Sequence, residues 1–298
     1  MSEYLILNSG AFTAEIDSVG AQCMNLYAEE YGISVLHTDA LRVVTGIPIL
    51  FPTNRIDGGH FFCEGVEYQL PVNEADTNCS LHGTLYEQPF TVVEQTATSV
   101  VLRWRSGGDY FGFSQDFSVQ IGYDLNEGAL TQTVVIENHA GAPLPILLGF
   151  HTAFTVPFCD GSVCEDVRIY ADHAAALSRN ERHLTDGRMP FDAEDEAFAA
   201  GTFCADHPLT RLYLAGEGGE WTMRDIRTGV MVCYQPDPAF TYRMIYSPVR
   251  GMFCCEPQTC AVDAPNLPAD SPDAKYPILR EGEQMVLRSV ITVGGIGL

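Results

Sequence analysis

The sequence predicts an all-β protein built as one large antiparallel β-sandwich, and three observations carry that prediction. Short runs of apolar and β-branched residues alternate with polar ones, and no long stretch shows helical spacing. Turn signals made of Gly, Asn and Asp separate the runs about every ten residues through the middle of the chain. Pro48 and Pro52 stand within an apolar run and forbid a helix there.

The elements follow in order. EYLIL at 3–7 and AFTAEID at 11–17 read as a hairpin turning at Asn8-Ser9-Gly10, and VGAQCMNLY at 19–27 turns back as a third strand. In GIPILFPTNRIDGGHFFCEGVEYQLPVN at 46–73, Arg55 stands at the mouth of a strand, and Glu64-Gly65 turns between two short ones. In NCSLHGTLYEQPF at 78–90, Gly83 after His82 marks a tight backbone beside an imidazole. From 91 to 140 strand follows strand, with turns at 107–109 and 126–128. The apolar strand PILLGFHTAFTVPF at 145–158 breaks at Gly149 and carries His151 into an aromatic-lined bend. Residues 160–205 show the least pattern and read as long loops with one short helix near 192–199. Further strands run to EQMVLRSVITVGG, which closes the chain. No repeat or low-complexity linker divides residues 1–298, so a single domain is expected.

Composition narrows the partners. The formal net charge is −23, with fifteen arginines and one lysine, Lys275. A field of that sign repels nucleic acid and anionic membranes and favours a neutral over a phosphorylated ligand. The N-terminus lacks a basic region followed by a long apolar one, and no apolar run approaches the roughly 20 residues of a spanning helix, so a cytoplasmic protein is expected. The ten cysteines are scattered without a CxxC pair, which argues for reduced core thiols and against a zinc site.

Few residues carry obvious chemistry. His151 can exchange a proton near neutral pH, although a lone histidine at a strand end is more often structural. Glu256 ends the strand GMFCC and is fixed by Pro257, the setting of a candidate general base. Asp206, before His207-Pro208, has the position of a turn opener. No GxSxG, P-loop, GxGxxG or HExxH pattern occurs.

Taken together, GIPILFPTNRIDGG at 46–59, LHG at 81–83, PILLGFHTAF at 145–154, DHPLTRLYL at 206–214, EPQTCAVDAPN at 256–266 and YPILREGEQ at 276–284 resemble the aldose 1-epimerase (galactose mutarotase) family over nearly the whole chain. The resemblance implies a galactose mutarotase-like supersandwich with a sugar in a cleft across one sheet. It implies Glu256 as general base, His151 as general acid, Arg55, His82 and Asn54 against the sugar, and Asp206 binding further hydroxyls. The family's Pro and Tyr after the catalytic histidine are Thr152 and Ala153 here, so a bulky aromatic is missing. The implied activity interconverts the anomers of a free hexose such as galactose or glucose. A carboxylate and an imidazole on opposite sides of a pyranose suffice, with no metal, nucleotide or covalent intermediate. Two other readings stay open. A phosphorylated or sulfonated hexose would need an arginine cluster, for which Arg42, Arg55 and Arg243 are the candidates; a sugar-binding module would turn nothing over.

Overall fold

Alternation in the long central strands fixes which face of each turns inward. Phe117–Asn126 and Ala129–Asn138 bury every second side chain almost without exception, and they pair along their whole length from Phe117↔Asn138 to Asn126↔Ala129. The structure, a computed structural model, describes residues 3–126 and 128–295; Glu127 of the expected turn at 126–128 lies outside them.

Two large antiparallel sheets form the sandwich. The nine-stranded sheet runs Thr91–Gln95, Ser99–Arg105, Phe117–Asn126, Ala129–Asn138, Gln284–Gly295, Val230–Gln235, Trp221–Asp225, Val167–Ala171 and Phe203–Cys204. The other runs Thr185–Met189, His173–Arg179, Leu209–Ala215, Tyr242–Ser247, Met252–Gln258, Gly149–Phe150 and Ile49–Leu50, with Thr152–Thr155 also paired to Met252–Gln258. Their inner faces meet in specific contacts. Phe154 packs on Tyr234 at 5.6 Å between ring centroids, Thr152 donates to the Tyr234 hydroxyl at 3.3 Å, and the Arg243 guanidinium lies 4.7 Å over the Trp221 ring. A four-stranded sheet begins with Tyr4–Asn8, Phe12–Asp17 and Gln22–Ala28, the three expected strands. The Glu64-Gly65 turn joins His60–Cys63 to Val66–Gln69, with both turn residues at positive φ as a two-residue hairpin requires.

Three departures from the sequence reading have physical causes. Residues 160–205 hold strands Val167–Ala171, His173–Arg179 and Thr185–Met189 beside the expected helix, Ala193–Ala199. Register shifts at His173/Ala175 and Ser178/Arg179 break the two-residue period in the second and third of these and hide them, whereas Val167–Ala171 keeps a regular alternation and was legible. Glu256 does not end its strand, since Met252–Gln258 continues past it with every residue buried. Pro257 lies opposite Phe150, the last residue of the short strand Gly149–Phe150, so the donor it lacks falls where that pairing breaks off. Arg42, Arg55 and Arg243 do not converge: Arg42 pairs with Asp17, Arg55 with Glu74, and Arg243 is buried over Trp221. The ten cysteines are free thiols, eight of them buried. Among the described residues no helix is long and apolar enough to cross a membrane.

Gly83 shows how tightly the loops beneath the site are joined. It has φ +60°, and a Cβ there would stand 1.9 Å from the Phe51 carbonyl oxygen. Both the dihedral and the backbone contact exclude a side chain. Gly83→Ala is therefore expected to lower stability by at least about 2 kcal/mol, measured by denaturant unfolding. An unchanged midpoint would show that the loop gives way freely.

Candidate active site

Register places the site. Gly149 pairs with Gln258 and Thr152 with Cys255, so counting inward along both strands sets His151 opposite Glu256. Met244 pairs with Glu256 on the other side, and in the next row Thr210, Tyr246 and Cys254 are neighbours. Alternation sends Phe253, Cys255 and Thr152 into the sandwich and leaves His151, Glu256, Met244, Tyr246 and Thr210 on the opposite face. That face is the floor of a cavity of about 410 Å³, within the range of small-molecule sites.

Loops make the walls. Leu41, Val43 and Val44 supply an apolar side, and Asn54, Arg55, Leu81 and His82 line another. Asn54 and His82 both hold left-handed backbone, φ +54° and +62°, and the His82 N–H donates to the Asn54 carbonyl at 2.9 Å. Positive φ is uncommon away from glycine, and the mutual bond holds two such residues at the cavity edge. Glu74, Arg179 and His183 complete the lining.

At the floor, His151 Nε2 lies 3.2 Å from Glu256 Oε1, with the residues 5 % and 2 % exposed. Burial pushes the Glu256 carboxyl up to about 8, against a smaller opposing pull from Arg179, and burial brings His151 down to about 4. Both effects favour uncharged forms. At neutral pH the pair accordingly holds one proton, on the carboxyl side of the contact. The Gln258 amide approaches Glu256 Oε2 at 3.4 Å, and His151 Nδ1 has no partner among the described residues. The Tyr246 ring stands edge-on to His151 at 5.5 Å and the His82 ring at 5.8 Å. Tyr246 thus provides an aromatic wall from another strand, next to the place where Ala153 lacks one. Burial also holds His82 well below its ordinary range, so its imidazole is neutral.

Arg55 grips Glu74 with both ends of its fork, Nε to Oε2 at 2.6 Å and a terminal nitrogen to Oε1 at 2.7 Å, and the Thr77 hydroxyl donates to the same carboxylate. These bonds hold Glu74 below the usual carboxylate range, so Glu74 stays ionised. His151, Glu256, His82, Arg55 and Asn54 therefore share one cavity. Asp206 does not line it. Its carboxylate instead takes a hydrogen bond from His207 at 2.6 Å in an exposed cluster with Glu194, because the loop after Phe203–Cys204 turns toward the small helix and away from the cavity. Sequence reasoning missed Glu74, Arg179, His183 and Tyr246. Tyr246 was accessible through the alternation of TYRMIYSP; Glu74 and His183 lie in loops without a motif.

The chain matches the aldose 1-epimerase family over residues 2–292. It belongs to that family. Two solved structures similar to this aldose 1-epimerase family member agree in fold. A galactose mutarotase-like protein from Clostridium acetobutylicum superposes with a TM-score of 0.92 at 23 % identity, covering 99 % of this chain and 98 % of the other. An aldose epimerase homologue from C. elegans gives 0.79 at 14 % identity with both chains fully covered. In sequence, the chain is 30 % identical over 152 residues to YihR, an uncharacterized protein of Escherichia coli K12, a match spanning 50 % of this chain and 49 % of that one.

The protonation of the pair is directly observable. Infrared difference spectra between the protein and Glu256→Gln should show a protonated carboxyl at pH 6.5 that ionises near pH 8. A carboxylate already ionised at pH 6.5 would refute the assignment.

Proposed function

We propose that this chain is an aldose 1-epimerase that interconverts the α and β anomers of a reducing hexose by general acid–base ring opening. The observation that supports it is the buried Glu256–His151 contact, one proton acceptor beside one proton donor at the bottom of a cavity. The sequence reading sets the two on opposite sides of the ring; here they lie side by side. That placement suits the chemistry, because the anomeric oxygen and the ring oxygen are bonded to the same carbon.

With the proton on His151, Glu256 takes the anomeric O–H proton while His151 Nε2 protonates the ring oxygen. The bond from C1 to the ring oxygen breaks as the C1 carbonyl forms. Rotation about C1–C2 presents the other face, and the steps reverse with the two groups exchanging roles. The starting tautomer needs only a shift of the shared proton across the 3.2 Å contact. Burial makes each charge that develops during the exchange count more than it would in water. Arg55, His82 and Asn54 orient hydroxyls, and Tyr246 with Val44 supplies apolar surface for the C–H face of the ring. A glycosidase would need a second free carboxyl, and Glu74 is held by Arg55 on both oxygens.

The test is polarimetry on freshly dissolved α-glucose and α-galactose with the protein and its variants. Glu256→Gln keeps the shape but accepts no proton, so kcat should fall by about 10²–10⁴-fold, and His151→Asn should do similar damage. The double variant should lose little more, since both groups serve one exchange. Arg55→Ala should chiefly raise KM. Near-normal kcat in Glu256→Gln would remove the carboxyl from the mechanism, and binding without turnover in the unaltered protein would favour a sugar-binding module.

A further inference from the structure

Arg179 carries no proton in the exchange just described, although its charge is felt at the Glu256 carboxyl. It lines the cavity, yet among the described residues its guanidinium donates only to the Thr210 carbonyl, at 3.3 Å. Nearby arginines behave otherwise: Arg55, Arg182, Arg188 and Arg211 each hold a carboxylate. In a chain with 39 acidic residues against 16 basic ones, a cavity guanidinium without a carboxylate partner among the described residues is a site for an incoming anion. Arg179 is the last residue of its strand, and the register shift beside it places the extra residue, Asp186, on the partner strand Thr185–Met189.

The balance of charge inside the cavity points the same way. Glu74 neutralises Arg55, and Glu256 carries the pair's proton, so one positive charge remains, on Arg179. His183 stands beside it, held below its ordinary range by burial and by both guanidiniums. Arg179, His183 and Thr210 also line an adjoining hollow of about 290 Å³, so the cationic end opens into further space. The net charge of −23 favours a neutral ligand only at long range. At physiological ionic strength, charges beyond about 8 Å are largely screened, and the nearest guanidinium decides at contact.

We propose, resting on the epimerase reading, that the reducing hexose turned over here carries an oxyanionic substituent, a carboxylate, phosphate or sulfonate, which Arg179 holds with His183 and Thr210 at the cavity end that meets the second hollow. The planar fork of arginine suits all three oxyanions.

The experiment compares anomer exchange of glucose, glucuronic acid, glucose 6-phosphate and 6-deoxy-6-sulfoglucose by NMR, in the unaltered protein and in Arg179→Gln and Arg179→Lys. At least one anionic sugar should exceed glucose at least tenfold in kcat/KM, and the best of the three identifies the oxyanion. Arg179→Gln should reduce that preference at least tenfold, mainly through KM, and Arg179→Lys should keep part of it. Because glucose is measured on the same variant, a folding defect cannot imitate a changed ratio. Glucose equal to all three anions in the unaltered protein would overturn the proposal while leaving the epimerase reading intact. An equal loss for neutral and anionic sugars in Arg179→Gln would also overturn it, since Arg179 would then act through the charge of Glu256. If no sugar exchanges faster than it does spontaneously, the epimerase reading falls and this inference with it.

Discussion

A carboxyl and an imidazole buried against each other on one face of a sheet form the constraint on which this site depends. Both groups are almost wholly withdrawn from water, so each is held toward its neutral form, and the contact between them keeps one proton available to both. The arrangement has a stability consequence with a definite sign. An unfolded chain releases the glutamate proton near 4.5, whereas the folded chain keeps it to about 8; between those values folding binds a proton and stability falls as pH rises. His151 acts oppositely. Its folded value near 4 lies below the ordinary 6.5, so stability falls as pH drops through that interval. The two slopes oppose one another between about 4.5 and 6.5, and the pair weakens the fold on either side.

The rest of the architecture serves that pair. The nine-stranded sheet covers one face of the second sheet with aromatic and aliphatic packing, which makes the strand Met252–Gln258 a rigid floor. Loops carrying left-handed residues cover the other face, and their turns leave little room: Gly83 presses on the Phe51 carbonyl, and a Cβ on Gly149 would stand 2.4 Å from Thr53 Oγ1. Close loop packing is what buries Glu256 while leaving a cavity above it. The pair is thus desolvated by backbone as much as by side chains.

The fold was legible because most strands are buried on one face and alternate openly, as in Ala129–Asn138. Where the period fails, so does the reading. The bulged strand His173–Arg179 passed for loop, and with it went Arg179. Met252–Gln258 is buried on both sides and carries no alternation, so Pro257 passed for the end of the strand. His151, Glu256, His82, Arg55 and Asn54 were assigned through the family resemblance, and the cavity brings them together. Asp206 rested on the looser likeness of DHPLTRLYL, and the chain there leads to a surface ion cluster instead. Glu74 and His183 enter the site through tertiary packing, which no local pattern announces, whereas Tyr246 could have been read from the alternation of its strand.

In the proposed reaction anomer exchange runs on a single proton shared by Glu256 and His151. The most direct test of this is the pH dependence of kcat/KM on a sugar without a titratable group, with the spontaneous rate subtracted. A pair with two protons has no base and a pair with none has no acid. The expected profile is therefore a bell whose flanks lie near pH 4 and pH 8, the alkaline one falling about tenfold per pH unit. A rate that continues to climb from pH 7 to 9.5 would show that the fully deprotonated pair is the working form, and would contradict it.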